Sequence, residues 1–276
     1  MLNRRPLITG AGERDVVLGT IEPVVIVTLI GVVLVAGAIN GVAGFGFALV
    51  GTMVLATVLD LATAVVFMIL PILVVNASLV RDLTARELRV CGRRFAPLLA
   101  AALVGTSAGM LVLDLLPETP LRVGLGVVSL AFVVSAQRAV AVPGLGRLRE
   151  GCFVETPTAM FGVGAVSGVL FGGTNVGVQL VAYVRSCDLS HALFVGVVAM
   201  IFLGINAVRV VAAGALGLYP DSLVLVASLA AGVPALVGVV IGKRLRPHVS
   251  ERRRRIVVLG LLTVIGVRLV LAGVGI

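Results

Sequence analysis

The sequence predicts an all-α polytopic membrane protein built from two inverted repeats. Each repeat is expected to hold a glycine-broken pair of short or re-entrant helices and three full transmembrane helices. Three observations support this fold class: 59% of the 276 residues are hydrophobic and only 13% are charged, long apolar runs alternate with short basic loops, and similar segments recur in both halves. Soluble domains are about half apolar and about a quarter charged. A chain with a mean hydropathy of +1.19 therefore needs the lipid bilayer as its solvent.

The apolar runs are the first element of that prediction. A helix needs about 20 apolar residues, at about 1.5 Å each, to cross the hydrocarbon layer, and six runs approach this length. Two pairs of shorter runs, 24–40 with 45–59 and 156–170 with 174–187, are interrupted at glycines. The six longer runs are 62–80, 95–113, 121–137, 190–208, 223–242 and 256–273.

Internal similarity divides the chain into halves within one integral domain, residues 1–276. The segment from Gly37, GAINGVAGFGF, aligns with GAVSGVLFGGT from Gly164, and the segment from Pro97, PLLAAALVG, aligns with PALVGVVIG from Pro234. These matches occur in the same order along the chain. They indicate a first repeat at 22–138, a linker at 139–153 and a second repeat at 154–273.

The loop charges predict opposite orientations for the two halves. Residues 81–94 hold five arginines and 114–122 hold one, whereas 209–222 hold one basic residue and 243–255 hold seven. Basic loops stay in the cytoplasm, so equivalent loops are expected on opposite sides, as in an inverted repeat. Parity then requires the segment 156–187 to contribute zero or two crossings. A re-entrant hairpin and two short spans both satisfy this condition.

The net charge of +9 does not indicate nucleic-acid binding, because the basic residues lie in loops between apolar runs and not in a basic stripe. The three cysteines, Cys91, Cys152 and Cys187, form no CxxC pair, so neither a disulfide framework nor a metal site is expected. No cofactor is predicted. Arg4 and Arg5 are not followed by a signal-type apolar region and cleavage site, and no cleavable targeting peptide is expected.

The interrupted segments are the candidate substrate site. Irregular backbone is tolerated inside the bilayer only where protein or a watery cavity satisfies its polar groups, and a helix that starts there directs free N–H groups at a small anion. Close helix packing is the alternative use of such glycines. The candidate residues are Asn40, Gly41, Gly44 and Gly46 in the first half and Gly172, Gly173, Thr174, Asn175 and Gln179 in the second.

Further polar residues interrupt the apolar runs near the predicted loops. An offset of 128 positions pairs Ser78 with Asn206 and Arg81 with Arg209, and each arginine follows its polar partner on the same helical face. Intramembrane ionisable groups mark substrate or proton paths, whereas arginines at helix ends snorkel to the interface. Arg81 opens a basic loop and suits the second interpretation. Arg209 has no charged neighbour, so Ser78, Asn206 and Arg209 join the candidate site.

The paired glycine-rich openings, GAINGVAGFGF and GAVSGVLFGGTNVG, resemble those of the sulfite exporter TauE/SafE family of membrane transporters. The later helices FAPLLAAALVGTSAG and GVPALVGVVIGKRL and the last span VVLGLLTVIGVRLVL extend the resemblance from about residue 24 to 273. It implies transport of small anions and organosulfur compounds, such as sulfite, thiosulfate or sulfonates, in the prokaryotic plasma membrane. Phe45 and Phe47 stand where the family often has a run of glycines, so a partly apolar anion would suit the site as well as an inorganic one.

Taken together, residues and resemblance predict a secondary transporter of a small sulfur-containing anion that works by alternating access. The chain has no GxxxxGK[ST] segment, so a proton or sodium gradient, or the gradient of the substrate, would supply the energy. An anion channel or uniporter is one alternative, and a non-transporting scaffold or accessory subunit is another. An enzyme is disfavoured, because no HExxH pair or nucleophile–base constellation is present. The oligomeric state is left open.

Overall fold

The computed structural model describes residues 23–113, 156–187, 189–219 and 221–274, together with individual positions between 119 and 134. The predicted linker at 139–153 lies outside the described residues, as does most of the predicted span at 121–137. The described regions are helical and contain no strand. Their α-helices are α1 Pro23–Ala43, α2 Phe47–Leu55, α3 Leu61–Val80, α4 Ala85–Arg94, α5 Ala96–Leu113, α6 Pro157–Thr174, α7 Val178–Ser186, α8 His191–Ala215, α9 Ser222–Leu245 and α10 Glu251–Val274.

Five of these helices, α1, α3, α6, α8 and α9, are long and apolar enough to cross a membrane. The pair α4 and α5, bent by 71°, makes a sixth when it is counted as one span. Large apolar side chains face outward along them, with Val104 and Val211 each 71% exposed. A soluble protein does not maintain such surfaces, so the expected all-α membrane protein is confirmed.

The two halves present the same order of helices within the described residues. In the first half the 21-residue α1, a break at 44–46 and the nine-residue α2 precede α3. In the second half the 18-residue α6, a break at 175–177 and the nine-residue α7 precede α8. The first helix of each pair is thus longer than predicted, since each break comes later in the chain than the sequence suggested. Gly41 and Gly172 lie inside helices and do not end them.

Contact between α1 and α9 explains why the early glycines stay helical. A Cβ atom at Gly37 would overlap the carbonyl oxygen of Ala235, and one at Gly41 would overlap that of Val239. The two backbones touch along a stripe of residues four apart, which is one face of a helix. Small residues permit such close approach between membrane helices. The absence of a side chain at Gly41 therefore permits the close packing of α1 against α9.

Helices α5 and α6 repeat this contact with the halves exchanged. A Cβ at Gly164 would overlap the carbonyl oxygen of Leu98, and one at Gly168 would overlap that of Ala102. The sequence matches align Gly37 with Gly164, and Pro97, next to Leu98, with Pro234, next to Ala235. The two contacts are therefore reciprocal. In one contact, α1 of the first half packs on α9 of the second. In the other, α6 of the second half packs on α5 of the first.

The two basic loops lie at the same end of the bundle. Lys243 Nζ and Asp82 Oδ2 form an ion pair at 2.5 Å, which joins the end of α9 to the residue two positions beyond α3. The first of these loops contains α4, which starts at a capping box. Thr84 accepts from the backbone N–H of Glu87, and the Glu87 carboxylate accepts from the Thr84 N–H.

Candidate functional site

Arg209 is a buried cation on α8, six positions before the last residue of that helix. Its side chain is fully buried. Nη1 donates to Oδ1 of Asn175 and, at 3.3 Å, to Oδ1 of Asn206, while Nη2 donates to the carbonyl oxygen of Gly172 at 3.4 Å. The guanidinium carbon lies 5.1 Å from the ring centroid of Phe171, a cation–π distance. Neutral groups thus hold this charge in place.

Asn175 is the residue at which α6 ends and the second break begins. With φ at 60°, it is the one non-glycine residue in the described part of the chain with a left-handed backbone, a conformation that asparagine tolerates better than most residues. Its Nδ2 donates to Oγ1 of Thr52 at 2.8 Å and to the carbonyl oxygen of Val65 at 3.0 Å. Asn175 therefore links the second half to α2 and α3 of the first, and it holds Arg209 from the same side chain.

The charge of Arg209 is not neutralised within the described residues, where no carboxylate pairs with it. Its Nε is buried and has no hydrogen-bond partner there. Moving a charge from water into an apolar interior is unfavourable unless it is paired, and an unmade hydrogen bond of a buried group adds to this. An anion bound beside Nε would remove both penalties. The arrangement is thus suited to binding a small anion.

The cation has no counterpart on α3, which follows the first break as α8 follows the second. Asp60 and Ser190 cap the starts of α3 and α8, and Asn76 follows Asp60 by sixteen positions, as Asn206 follows Ser190. Both asparagines donate Nδ2 to the carbonyl four residues earlier, at 2.8 Å. Counted from the helix starts, Asn76 and not Ser78 occupies on α3 the position that Asn206 occupies on α8.

By the same count from the helix starts, the position of Arg209 on α8 corresponds to that of Leu79 on α3, which is a buried apolar residue. Arg81, which the sequence offset had paired with Arg209, is the exposed residue that ends α3. Ser78 donates to the carbonyl of Val75, near the end of α3 that carries the basic loop. The structure therefore brings neither Arg81 nor Ser78 to the network around Arg209.

The first break is built differently. Gly44 and Gly46 both have positive φ, at 85° and 104°, and the side chain of Asn40 accepts from the N–H of Phe47 at 3.3 Å. A Cβ at Gly44 would overlap the side chain of Val195. Asn40 therefore serves as a cap for α2, and the glycines permit a turn that residues with a Cβ rarely adopt.

The two breaks reach α8 at different levels. Gly44 packs on Val195, whereas Asn175 contacts Arg209, fourteen positions further along the helix. The second break also reaches α8 at Phe202, on which Gly177 packs. The described polar network forms at the second break, and a single anion site lined by both breaks stays a prediction.

The remaining candidates lie on α6 and α7, on either side of the second break. Gly172 packs against Thr106 of α5 while its carbonyl accepts from Arg209. Gly173 lies in α6, where an added Cβ would be at ordinary contact distance from the carbonyl oxygen of Gly109. Thr174 donates to the carbonyl of Leu170 and accepts from the N–H of Val176. Gln179, on α7, has a buried Oε1 that makes no hydrogen bond to the described residues.

Sequence reasoning missed three residues at the site. Thr52 lies within the apolar α2, where its hydroxyl was a usable signal. Phe171, stacked on Phe202 with ring centroids 4.9 Å apart, looked like any core aromatic residue. Tyr219 lies in the loop between α8 and α9, where burial raises the pKa of its phenol and the charge of Arg209 acts to lower it. It is one of two tyrosines in the chain, but sequence pattern alone does not place it beside α8.

Comparison with known proteins gives one match. The model of the family described as "Sulfite exporter TauE/SafE" matches residues 29–269, a range that includes both breaks, both basic loops and Arg209. No curated protein and no solved structure matches the chain.

Proposed function

This chain belongs to the sulfite exporter TauE/SafE family of membrane transporters, and on that premise we propose that it moves a small sulfur-containing anion across the prokaryotic plasma membrane with Arg209 as its anion-binding group. Sulfite, thiosulfate and sulfonates are the candidate substrates. Transport is secondary and proceeds by alternating access. A gradient of protons, of sodium or of the substrate drives it.

The burial of Arg209 without a carboxylate partner in the described residues is the observation that carries this proposal. A structural arginine in an apolar interior is normally paired. This one instead retains its charge and one unused donor, and a sulfur oxyanion complements both. Asn175 and Asn206 fix the orientation of the guanidinium and leave Nε for the ligand.

Alternating access is supported by where the site lies. Arg209 is fully buried, so an anion reaches it only after helices move. Asn175 hydrogen-bonds to Thr52 and Val65, so the site lies where the two halves meet, and relative motion of the halves would open it. In the inverted-repeat arrangement that we propose, such motion exposes the site to one side at a time.

Flux through purified protein in liposomes tests the proposal. Labelled thiosulfate, sulfite or a small sulfonate should enter at a rate that saturates with concentration. Unlabelled anion on the opposite side should accelerate the exchange. Saturation without this trans-stimulation would favour a channel or uniporter, and no flux of any of these anions would favour a scaffold or accessory subunit.

A further inference from the structure

Helix α4 is an element of the first half that the second half does not repeat. It occupies the connection between α3 and α5, whereas the equivalent connection between α8 and α9, residues 216–221, is too short to hold a ten-residue helix. A capping box formed by Thr84 and Glu87 fixes the start of α4. Joining two membrane spans does not require a capped helix, so the faces of α4 call for an explanation of their own.

The sharp bend between α4 and α5 sets the orientation of α4 relative to the bilayer. The two helices meet at an angle of 71°. Because α5 carries no charged residue, it is the part of the pair that crosses the hydrocarbon layer. The four arginines of α4 exclude that helix from the same layer. With α5 crossing, α4 lies closer to the membrane plane than to the membrane normal, at the end of the bundle that carries both basic loops.

Opposite faces of α4 have different surroundings. Cys91 is buried, and α4 packs against α8. Arg86, Arg89 and Arg93 follow one another at spacings of three and four residues, which places them together on the face away from Cys91. All three arginines are exposed. Helix α4 therefore contacts the protein with one side and presents a row of three cations, the arginine row, on the other.

The arginine row has no carboxylate partner within the described residues. Glu87 is the acidic residue of α4, and its carboxylate accepts from the N–H and the hydroxyl of Thr84. Asp82, just before α4, is paired with Lys243. Like charges at these helical spacings repel one another. The row is therefore complementary to a surface that supplies several anionic groups at once.

Exposed apolar side chains on α4 indicate which anionic surface fits. Val90 is 58% exposed and Leu88 is 38% exposed, although both lie among the arginines in the sequence. The phosphates of a bilayer lie directly above its acyl chains, so a lipid surface offers anions and apolar contact together. A dissolved phosphate offers only the charge.

We propose that α4 is an interfacial helix that binds the phosphate groups of anionic phospholipids through Arg86, Arg89 and Arg93. The lipid stabilises the folded protein, because it offsets the repulsion within the arginine row and covers the apolar side chains beside it. This interaction does not depend on which anion the protein transports, so its test does not involve the sulfur anions.

Thermal unfolding of the purified protein in an uncharged detergent tests this proposal. Short-chain phosphatidylglycerol should raise the melting temperature in a saturable manner, whereas phosphatidylcholine of the same chain length should raise it far less. In the triple variant Arg86→Gln, Arg89→Gln, Arg93→Gln, the affinity for phosphatidylglycerol should fall about tenfold or more, since each arginine near anionic headgroups contributes about fivefold. Glutamine and arginine have similar helix propensities, so the lipid-free variant should melt as the parent does.

A matched control removes the same charge from the other basic loop. The variant Arg244→Gln, Arg252→Gln, Arg253→Gln changes three exposed arginines at the same end of the bundle and should keep most of the affinity for phosphatidylglycerol. An equal loss in both triple variants would show that the response follows net charge, and the assignment to α4 would be wrong. It would also be wrong if the α4 variant bound the lipid as the parent does.

Two further lipid controls decide what is bound. Equal stabilisation by phosphatidylcholine and phosphatidylglycerol would show that acyl chains merely cover apolar surface. Equal stabilisation by glycerol phosphate, which has no acyl chains, would show a site for dissolved phosphate. Either result would overturn the proposal that α4 binds anionic lipid.

Discussion

The guanidinium of Arg209 donates to the side-chain oxygen of Asn175, and this bond joins a buried cation on α8 to the residue at which α6 ends. The same asparagine donates to Thr52 and to the carbonyl of Val65 in the other half. One side chain thus sets the conformation of the second break, the contact between halves and the orientation of the charge. A change in any of these three would be transmitted to the other two.

Asn175 has a backbone role and a side-chain role that two substitutions can separate. Asn175→Gly keeps the left-handed conformation accessible, whereas Asn175→Ala adds about 1–2 kcal/mol of backbone strain. Both remove the hydrogen bonds to Arg209 and Thr52. We expect similar losses of anion affinity in both variants and a lower melting temperature in the alanine variant. Thermal unfolding with and without thiosulfate measures both quantities. Equal melting temperatures would show that the backbone of Asn175 is unstrained.

The packing glycines should be intolerant of any added Cβ. Gly41→Ala and Gly168→Ala each place a methyl group against the backbone of a facing helix, so we expect each to lower stability by about 1–3 kcal/mol or more. Gly31 and Gly162, on the same two helices, have open space around them. Their alanine variants should be as stable as the parent or gain up to about 1 kcal/mol. Melting temperatures in detergent provide the comparison. If all four variants behave alike, the close approach of α1 to α9 and of α5 to α6 is wrong.

Membrane topology can be tested with single cysteines in a background without the native ones. The pair formed by Asp82 and Lys243 and the basic content of both loops predict that cysteines at Arg86 and Arg244 are labelled from the cytoplasmic side. A cysteine at Ser222, at the opposite end of α9, should be labelled from the outside. Labelling of Arg86 and Arg244 positions from opposite sides would contradict the inverted repeat and the ion pair together.

The ionisation of Tyr219 should report the charge of Arg209. Burial raises the pKa of the Tyr219 phenol above its ordinary value, and the nearby Arg209 cation and Ser228 hydroxyl act to lower it. Arg209→Gln removes the cationic contribution, so the pKa should rise further. Absorbance titration of tyrosinate in the Tyr183→Phe background measures this shift. A bound anion should also raise the pKa, since it offsets the positive charge. A pKa that falls or stays constant in Arg209→Gln would place Tyr219 away from Arg209.

The composition was enough to predict the membrane class, and the repeats were enough to predict the helix order of the described halves. The glycine-rich openings carried the TauE/SafE resemblance. The aligned segments, Gly37 with Gly164 and Pro97 with Pro234, lie on the four helices of the two reciprocal contacts, but the sequence did not predict which of these helices would touch. The break positions were placed too early, because glycine serves both close packing and turning, and sequence alone does not separate the two uses. Gly41 packs, whereas Gly44, three positions later, turns.

The residues that form the network around Arg209 were predicted only in part. Arg209 was predicted because a lone charge in an apolar run has few structural uses. Asn206 was predicted because it precedes Arg209 on the same helical face, and Asn175 because it lies at the glycine-rich second break. Thr52 and Tyr219 come from segments distant in sequence, and only the packing of α2 and of the α8–α9 loop brings them to α8. Counted from the helix starts, α3 and α8 differ by two positions from the sequence offset of 128. The sequence offset pairs Arg209 with the exposed Arg81, whereas the count from the helix starts pairs it with the buried Leu79.

The most direct test of the central claim is equilibrium binding of thiosulfate and sulfite to the purified parent protein, Arg209→Gln and Arg81→Gln, measured as anion-dependent thermal stabilisation. A ligand that binds the folded state raises the melting temperature with its concentration. We predict this rise in the parent and in Arg81→Gln, and its loss in Arg209→Gln. The anion-free Arg209→Gln protein should melt at the same temperature as the parent or higher, because a neutral amide replaces an unpaired buried charge. An undiminished anion response in Arg209→Gln would contradict the assignment of Arg209 as the anion site.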